Sequence, residues 1–535
     1  MVEGVTVETT TQHEALIQSL MDPNRWPEGG ADRRRIDTHI STVILAGDLA
    51  YKLKKPLDLG FLDFVSLSAR QRACNEELRL NSRLAPQIYQ TVCAVTGSIE
   101  RPQIDGAGEV LDWAVRMRRF DPDAILSKQL ERIDAKLIAG LAERVADFHA
   151  ETAVCPSSKP FGDADASYVP MRRNFEQILK CAPDLADSIE PLERWSREQR
   201  RRLDGALKRR KTGGHIRECH GDLHLGNVAL IDGQAVLFDA IEFNLELRWI
   251  DTVNDYAFLT MDLEERGRSD LAYRFLDRYL QRSGDYEGLA VLRYYEVYRA
   301  LVRAKIAAIR TTQGDLANRA RTQVVAELDG YLHFATRLTE PRQGAVIITH
   351  GVSGSGKSSV AQTLPDFLPA VCLRSDIERK RMLGVNPVSD VTGRGAYSSE
   401  QTEKVYARLS ALARDVAEAG YIAVVDATFI RRAQRQRFRA LAESLAVPFA
   451  IVDCDAPAEV LRQRILARRN QADNVSDADL AVLEAQLIAR EPLSESEQAA
   501  SLRVRPDSPL DREAVYRYLK GPAAQGNRVR GPHER

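Results

Sequence analysis

Gly344-Ala-Val-Ile-Ile-Thr-His350 runs directly into Gly351-Val-Ser-Gly-Ser-Gly-Lys-Ser358. The second half satisfies G-x-x-x-x-G-K-[ST] without exception, and its setting is the one that motif needs. A β-branched apolar run that reads as a buried strand precedes it, and Ser359-Val-Ala-Gln-Thr-Leu364, the first turns of a helix, follows. Gly351, Gly354 and Gly356 let the backbone curl so that consecutive N–H groups point at phosphate oxygens, and the helix N-terminus adds its partial positive charge. With Ser355 in the curl, Lys357 is spaced to reach the β/γ-phosphates and Ser358 to set its hydroxyl on Mg²⁺; Ser359 is a second hydroxyl that the motif does not require. A plain Gly/Ser turn is the alternative, and it leaves the coincidence of strand, loop, lysine and hydroxyl unexplained. The stretch therefore predicts a nucleoside triphosphate site that uses ATP and Mg²⁺.

From Gly344 to about Leu519 strands and helices alternate: the loop unit, Ala370–Arg374, a long helix from Ser399 to Ala419, Ile422–Asp426, another helix, and Phe449–Asp453. That alternation predicts a parallel α/β sheet. Upstream, Thr339-Glu-Pro-Arg-Gln-Gly344 punctuates like a linker, and downstream Gly521–Arg535 has the composition of a disordered tail. The expected organisation is a first domain over 1–338, a P-loop domain over 344–519 and a tail over 520–535. Asp376 and Arg379 follow a strand, where such sheets present ligand groups; a helix N-cap role for Ser375 or Asp376 is the alternative. Asp426 ends the next strand and suits either Mg²⁺ or acceptor, or a cap. Arg464 and Arg468 stand one turn apart in Arg462-Gln-Arg-Ile-Leu-Ala-Arg-Arg469, on an exposed basic helix or a ligand-facing one.

The first 338 residues read differently. Glu14 to Met21 suggests a short helix, ended by Asp22-Pro-Asn and Trp26-Pro. Thr42–Ala46 and Leu49–Lys55 flank Gly47-Asp48 as a hairpin, with Lys52 and Lys54 on one strand face and Tyr51 and Leu53 on the other. A helix with Glu76 and Glu77 follows, then strand-like Gln90–Ile99 and Trp113–Arg119; Ile133 to about Leu207 and Leu271–Leu338 read as helical. His149 ends an apolar stripe and reads as a packed, hydrogen-bonded histidine. The basic run Arg197–Lys211 reads as a solvated helix face, with a binding patch as the alternative. Next comes His220-Gly-Asp-Leu-His-Leu-Gly-Asn227, then a hairpin turning at Asp232-Gly233 and ending on Asp239. Asp222, Asn227 and Asp239 around one hairpin are the set phosphoryl transfer needs: one carboxylate to orient a hydroxyl, an amide oxygen and a second carboxylate to hold Mg²⁺. His220 and His224 could instead suggest a metal site, but zinc is not the expectation here.

His220-Gly-Asp222, with Asn227 five residues after the aspartate and Asp239 twelve further on, resembles the catalytic loop and metal aspartate of aminoglycoside phosphotransferases, relatives of protein kinases. The resemblance implies Asp222 as catalytic base and Asn227 and Asp239 as Mg²⁺ ligands. It also implies Lys52 as the phosphate-pairing lysine, with Lys54 as the alternative, and Glu77, or Glu76, as its helix partner. Two features depart from that pattern. Asp239-Ala-Ile-Glu242 displaces the companion acid by one, and no Gly-rich phosphate loop precedes Lys52. Arg374–Arg379 resembles the acceptor motif of small P-loop kinases such as polynucleotide 5′-kinases and zeta toxins, which implies Asp376 as base, Arg379 as substrate ligand and Arg464 and Arg468 as lid arginines. Arg248-Trp-Ile-Asp251, Asp255-Tyr-Ala-Phe-Leu and Tyr298-Arg-Ala-Leu-Val-Arg-Ala-Lys305 are similar to a bacterial family that fuses these two kinds of domain.

Composition agrees with two ordinary globular cores: 44% hydrophobic and 28% charged residues in a chain of 535, too long for one compact core. The 75 basic and 76 acidic residues nearly cancel, so no global charge draws the chain to nucleic acid or to an anionic membrane. Seven cysteines without C-x-x-C spacing, no signal-like start and no membrane-length apolar run predict reduced thiols, a cytoplasmic location and no membrane partner. The sequence predicts a two-domain phosphotransferase that acts on hydroxyl groups of small molecules at two separate sites. A regulatory protein with one nucleotide site as sensor is one alternative. Nucleic-acid end processing, weakly supported by Arg197–Lys211 and Arg431–Arg437, is another.

Overall fold

A computed structural model describes residues 7–22, 33–60, 62–312, 318–385, 398–468, 479–505 and 510–520. They form two compact units, Met1–Leu263 with Tyr294–Ala335, and Glu264–Arg293 with Thr336–Arg535.

The first unit is built on an antiparallel sheet of β1 (Arg33–Asp37), β2 (Ser41–Ala46), β3 (Leu49–Lys54), β4 (Tyr89–Ser98), β5 (Arg101–Ile104) and β6 (Val110–Arg118), in the order β1-β2-β3-β6-β4-β5. The period of two along β3 decides what each face carries. Tyr51 and Leu53 pack with Ile44, Cys93, Val95 and Ala114 under Leu16, Ile17 and Leu20 of the first helix, Val7–Leu20. Lys52 and Lys54 turn the other way, toward the helix Leu67–Asn81, which Ser66 caps by accepting from the Ala69 amide.

Helices make up most of the rest of this unit. The single helical reading of Ile133–Leu207 resolves into Ala135–Glu151, Ala164–Cys181, Ala186–Arg202 and Asp204–Thr212. The first break, residues 152–163, contains Pro156, Pro160 and Gly162, which sits at φ +72°. Short β7 (Ile216–Glu218) later pairs antiparallel with β10 (Trp249–Asp251), and β8 (Val228–Ile231) with β9 (Gln234–Leu237). Asp232 and Gly233, at φ +51° and +76°, supply the two left-handed residues that a two-residue hairpin turn requires.

The second unit is a parallel sheet of β11 (Ala345–His350), β12 (Ala370–Arg374), β13 (Ile422–Asp426), β14 (Phe449–Cys454) and β15 (Ser501–Val504), ordered β12-β13-β11-β14-β15. β11 lies inside the sheet and is buried at all six positions, as its continuous apolar run requires. β12 is an edge, and the helix Ser269–Ser283 covers it. Asp277, almost wholly buried, accepts from the backbone amide of Cys372 at 2.7 Å and from Gln281 Nε2 at 2.7 Å. Arg274 pairs with Asp366, and Arg381 donates to the Gln281 carbonyl at 2.6 Å. The sequence boundary at 338–344 keeps 264–293 with the first domain, whereas its packing groups it with the second, because an open edge strand needs a partner for its amides. The strands β1, β5 and β15 are not evident in the sequence, and the expected tail at 521–535 lies outside the described residues.

Burial raises the Asp277 carboxyl to about 6, against the opposing bonds from Cys372 and Gln281. The folded state therefore holds a proton that the unfolded state has released, so stability falls as pH rises from about 4 to about 6. Asp277→Asn keeps an acceptor for Cys372 and removes that titration. Thermal scans of the full chain should show the variant losing less stability across this window, by on the order of 2 kcal/mol; parallel pH profiles would contradict the assignment.

Candidate active sites

In the first unit three elements meet at one buried carboxylate. Glu77, on the helix Leu67–Asn81, receives Lys52 Nζ at 2.8 Å on one oxygen and Lys54 Nζ at 2.5 Å on the other. Lys52 also reaches Asp239 Oδ1 at 2.5 Å, and Lys54 reaches Glu242. Five charges thus alternate from Asp239 through Lys52, Glu77 and Lys54 to Glu242. Burial alone would lower the Lys52 ammonium, but Asp239 and Glu77 outweigh it and keep the group charged. The same lysines, Lys52 first, hold Glu77 below the usual carboxylate range against its burial, while burial raises Glu242. Lys52 is the lysine that faces Asp239; Lys54 is fully enclosed and ties down the displaced acid. Glu76, the other candidate partner, instead binds Arg79 and Arg248.

Asp239 sits at φ +64°, its amide donating to Tyr89 Oη at 3.2 Å, while the next amide, Ala240, donates to Asn81 Oδ1 at 2.8 Å. With one oxygen on Lys52 and the side chain 44% exposed, Asp239 keeps carboxylate surface for a cation. Asn227 donates its Nδ2 to Asp222 Oδ2 at 2.8 Å and to the Asp222 carbonyl at 2.9 Å, which leaves its amide oxygen as the atom suited to a metal. These two groups fit a hard divalent cation, whose preferred donors are oxygens. Asp222, 36% exposed, also lies 3.4 Å from His224 Nε2, and His224 leads the neighbours that pull its carboxyl down against burial.

The loop His220–Asn227 owes its shape to residues to which the sequence reading gave no role. Asp255, buried in the helix Thr252–Glu265, accepts from the amides of His220 at 3.0 Å and Gly221 at 2.8 Å and from His149 Nε2 at 3.0 Å. Asp262 accepts from the Leu225 amide at 2.9 Å, and Arg299 donates to the Gly221 carbonyl at 3.0 Å. A carboxylate set directly against the apolar run Tyr256-Ala-Phe-Leu259 was the available signal. Burial lowers the His220 pKa, so a neutral ring bridges the Phe238 carbonyl, at 3.0 Å from Nε2, and the Asp222 amide, at 3.3 Å from Nδ1. Buried His149 is the hydrogen-bonded histidine its position implied.

In the second unit the loop after β11 lines a cavity of about 460 Å³ with Asp376, Arg379 and Asp426. Gly351, at φ +138°, has no room for a side chain: a Cβ would stand 2.3 Å from the Cys454 carbonyl oxygen. Gly354 and Gly356 are also left-handed, at +84° and +96°. Lys357 Nζ donates to the Val352 carbonyl at 2.8 Å, Arg464 to the Gly354 carbonyl at 3.2 Å, and the buried Ser355 hydroxyl has no hydrogen-bond partner among the described residues. Curled backbone, two cations on loop carbonyls and an orphaned hydroxyl form a donor set that fits phosphate oxygens. Ser358 lines the cavity and could hold Mg²⁺, whereas Ser359 is exposed and outside the lining. The N-cap of the helix Ser375–Met382 is Arg374, with no side-chain cap bond, so neither Ser375 nor Asp376 is the cap. Asp426 ends β13 beside the loop strand, 3.6 Å from Arg374. Arg468 ends the helix Ala458–Arg468, but its side chain, like Arg469, lies outside the described residues.

Most of the first basic run is paired. In Arg197–Lys211, Arg197, Arg200, Arg202, Lys208 and Lys211 pair with acids, and buried Arg210 grips Asp251. No helix among the described residues is long and apolar enough to cross a membrane.

The profile of the Phosphotransferase enzyme family matches residues 61–295, and that of an AAA domain matches 346–493. Uncharacterized proteins of Mycobacterium tuberculosis and Mycobacterium bovis are 31% identical over 471 residues, covering 85% of this chain and 89% of each relative. Among solved structures, a choline/ethanolamine kinase family protein from Mesorhizobium loti aligns with 62% of this chain and 95% of its own, at 12% identity and a TM-score of 0.35. A gluconokinase from Sinorhizobium meliloti aligns with 34% and 93%, at 21% identity and a TM-score of 0.24.

The two lysines of β3 should behave differently. Lys54→Met leaves Glu77 and Glu242 short of a cation in a closed site, so chemical denaturation should register a loss of about 3 kcal/mol. Lys52→Met, beside the exposed Asp239, should cost less stability and lower nucleotide affinity instead. Equal stability losses with unchanged nucleotide binding would contradict these separate roles.

Proposed function

We propose that this chain, which belongs to the family of those mycobacterial proteins and joins a phosphotransferase domain to a P-loop kinase-like domain, transfers the γ-phosphoryl group of ATP to hydroxyl groups of small molecules at two separate sites. It is a phosphotransferase enzyme; two working sites and small-molecule acceptors are the reading offered here. The observation that carries it is the convergence of Lys52, Glu77 and Asp239 beside Asp222 and Asn227, since a kinase-type site needs both halves at once.

In the first site Asp222 accepts the proton of the acceptor hydroxyl and orients its oxygen, and Asn227 holds Asp222 in place through its amide nitrogen. Lys52, fixed by Glu77, reaches the phosphates. Asn227 and Asp239 would hold Mg²⁺, which supplies charge neutralisation on the phosphate oxygens when bound. In the second site the loop amides and Lys357 take the phosphates, Ser358 would hold the cation, Asp376 is the base and Arg379 holds the acceptor.

One observation favours a second reading, a first domain that senses nucleotide without transferring phosphate. The β1–β2 connection is Thr38-His39-Ile40, tied back by Thr38 Oγ1 to the Ser41 carbonyl at 3.0 Å, and it holds no glycine to bring backbone amides onto phosphates.

Labelled ATP and pooled hydroxyl compounds, applied to the full chain, separate the readings. In a Lys357→Ala background, Asp222→Ala should abolish the remaining transfer, by about 10²-fold or more, with ATP binding intact, whereas Asp239→Ala should weaken Mg²⁺-dependent binding itself. In a Lys52→Met background, Asp376→Asn should cut transfer far more than ATP affinity. No transfer from the Lys357→Ala chain with any pool would favour the sensor. Turnover within a few-fold in Asp376→Asn would remove that residue as base.

A further inference from the structure

Five arginines crowd Arg431–Arg439, and their side chains part company in the fold. Arg435 is wholly buried, fixed to Glu497 at 2.7 and 3.1 Å and to three carbonyls. Arg439 lies over the Phe449 ring, 5.3 Å from its centroid. Arg431, the extended residue that caps the helix Arg432–Ser444, and Gln434 and Arg437 within it line the cavity that holds Asp376. Arg379, almost wholly buried, lines the same cavity from the helix Ser375–Met382. Arg437 pairs with Glu403, while Arg431 has no ion-pair partner among the described residues.

The cations nearest the nucleotide loop are different ones: Lys357 and Arg464, which both donate to loop carbonyls. Asp376 and Arg379 on one helix, and Arg437 on a second with Arg431 at its N-cap, stand outside that loop. Away from the loop and Asp426, the cavity lining carries three arginines, Arg379, Arg431 and Arg437, and two acids, Asp376 and Glu403. A hydroxyl alone needs none of that charge, whereas guanidinium groups fit carboxylate and phosphate oxygens closely.

Building on the reading of this cavity as a kinase site, we propose that the acceptor of the P-loop domain carries an anionic group, a carboxylate or a phosphate ester, beside its reacting hydroxyl. Arg431 and Arg437 hold that group together with Arg379. In the transfer, the acceptor oxygen bonds to the γ-phosphorus, its proton passes to the Asp376 carboxylate, and the bond from the γ-phosphorus to the bridging oxygen breaks to release ADP.

The test uses the full chain saturated with Mg²⁺ and a non-hydrolysable ATP analogue, titrated calorimetrically with inorganic phosphate and, separately, with a 12-nucleotide single strand. Phosphate should bind to the saturated protein, and Arg431→Ala and Arg437→Ala should each weaken it about tenfold while analogue affinity stays within about twofold. Phosphate binding that is absent, or equal in wild type and variants, overturns the proposal. So does tight, steeply salt-dependent binding of the oligonucleotide that Arg431→Ala removes, which would make the arginines a nucleic-acid contact. A drop in analogue affinity with phosphate unaffected would assign them to the nucleotide. Analogue binding by the full chain carrying Lys52→Met, in which the P-loop is the remaining nucleotide site, reports on the kinase reading of this cavity separately, since that reading fails if this variant does not bind the analogue.

Discussion

A carboxylate with a lysine on each oxygen, Glu77 between Lys52 and Lys54, fixes the geometry of the first domain. Charges this deeply enclosed are tolerated only when each has a partner, and removing one strands the others. The alternation from Asp239 to Glu242 meets that condition and joins three distant pieces of chain: strand β3, the helix Leu67–Asn81 and the segment after β9. Two oddities of the sequence explain each other here. The second lysine on β3 and the acid displaced to Glu242 are partners, so the extra cation and the shifted anion arrive together. Lys52 is left facing Asp239, the exposed end of the row.

Behind that row, a helix rather than a loop sets the position of Asp222. Asp255 takes the amides on either side of the His220–Gly221 peptide, Asp262 takes Leu225, and Arg299 takes the Gly221 carbonyl. Each bond ends on the backbone, so the loop keeps its path whatever its side chains do, and Asp222 remains available to the cleft. In the second domain the glycines do comparable work by a different route. The strand-to-helix turn curls because no Cβ fits at Gly351, and Lys357 and Arg464 rest on the loop's own carbonyls.

The parts of the protein that follow local rules were legible in the sequence. An uninterrupted apolar run became the fully buried β11, the Asp232-Gly233 turn closed its hairpin, and alternation along β3 put both lysines on one face. Asp222, Asn227, Asp239 and Lys52 converge because short connections and one long-range ion pair bring them together. What escaped depends on partners remote in sequence. The strands β1 and β15 are Arg33-Arg-Arg-Ile-Asp37 and Ser501-Leu-Arg-Val504, too polar to announce themselves without the neighbour that pairs them. The helix Ser269–Ser283 looks like its neighbours in sequence, yet Asp277 commits it to Cys372 on β12, 95 residues away. Asp255 and Arg299 were visible as residues of a resemblance but had no role until the loop they hold was folded.

Two nucleotide sites in one chain is the claim on which the rest of the account stands, and counting bound nucleotides tests it most directly. Calorimetric titration of the full-length protein with Mg²⁺ and a non-hydrolysable ATP analogue should give two equivalents in wild type, one in Lys357→Ala and one in Lys52→Met. A single equivalent in wild type that Lys357→Ala abolishes would contradict it, leaving the P-loop as the sole nucleotide site and the lysine–glutamate row of the first domain as structure alone.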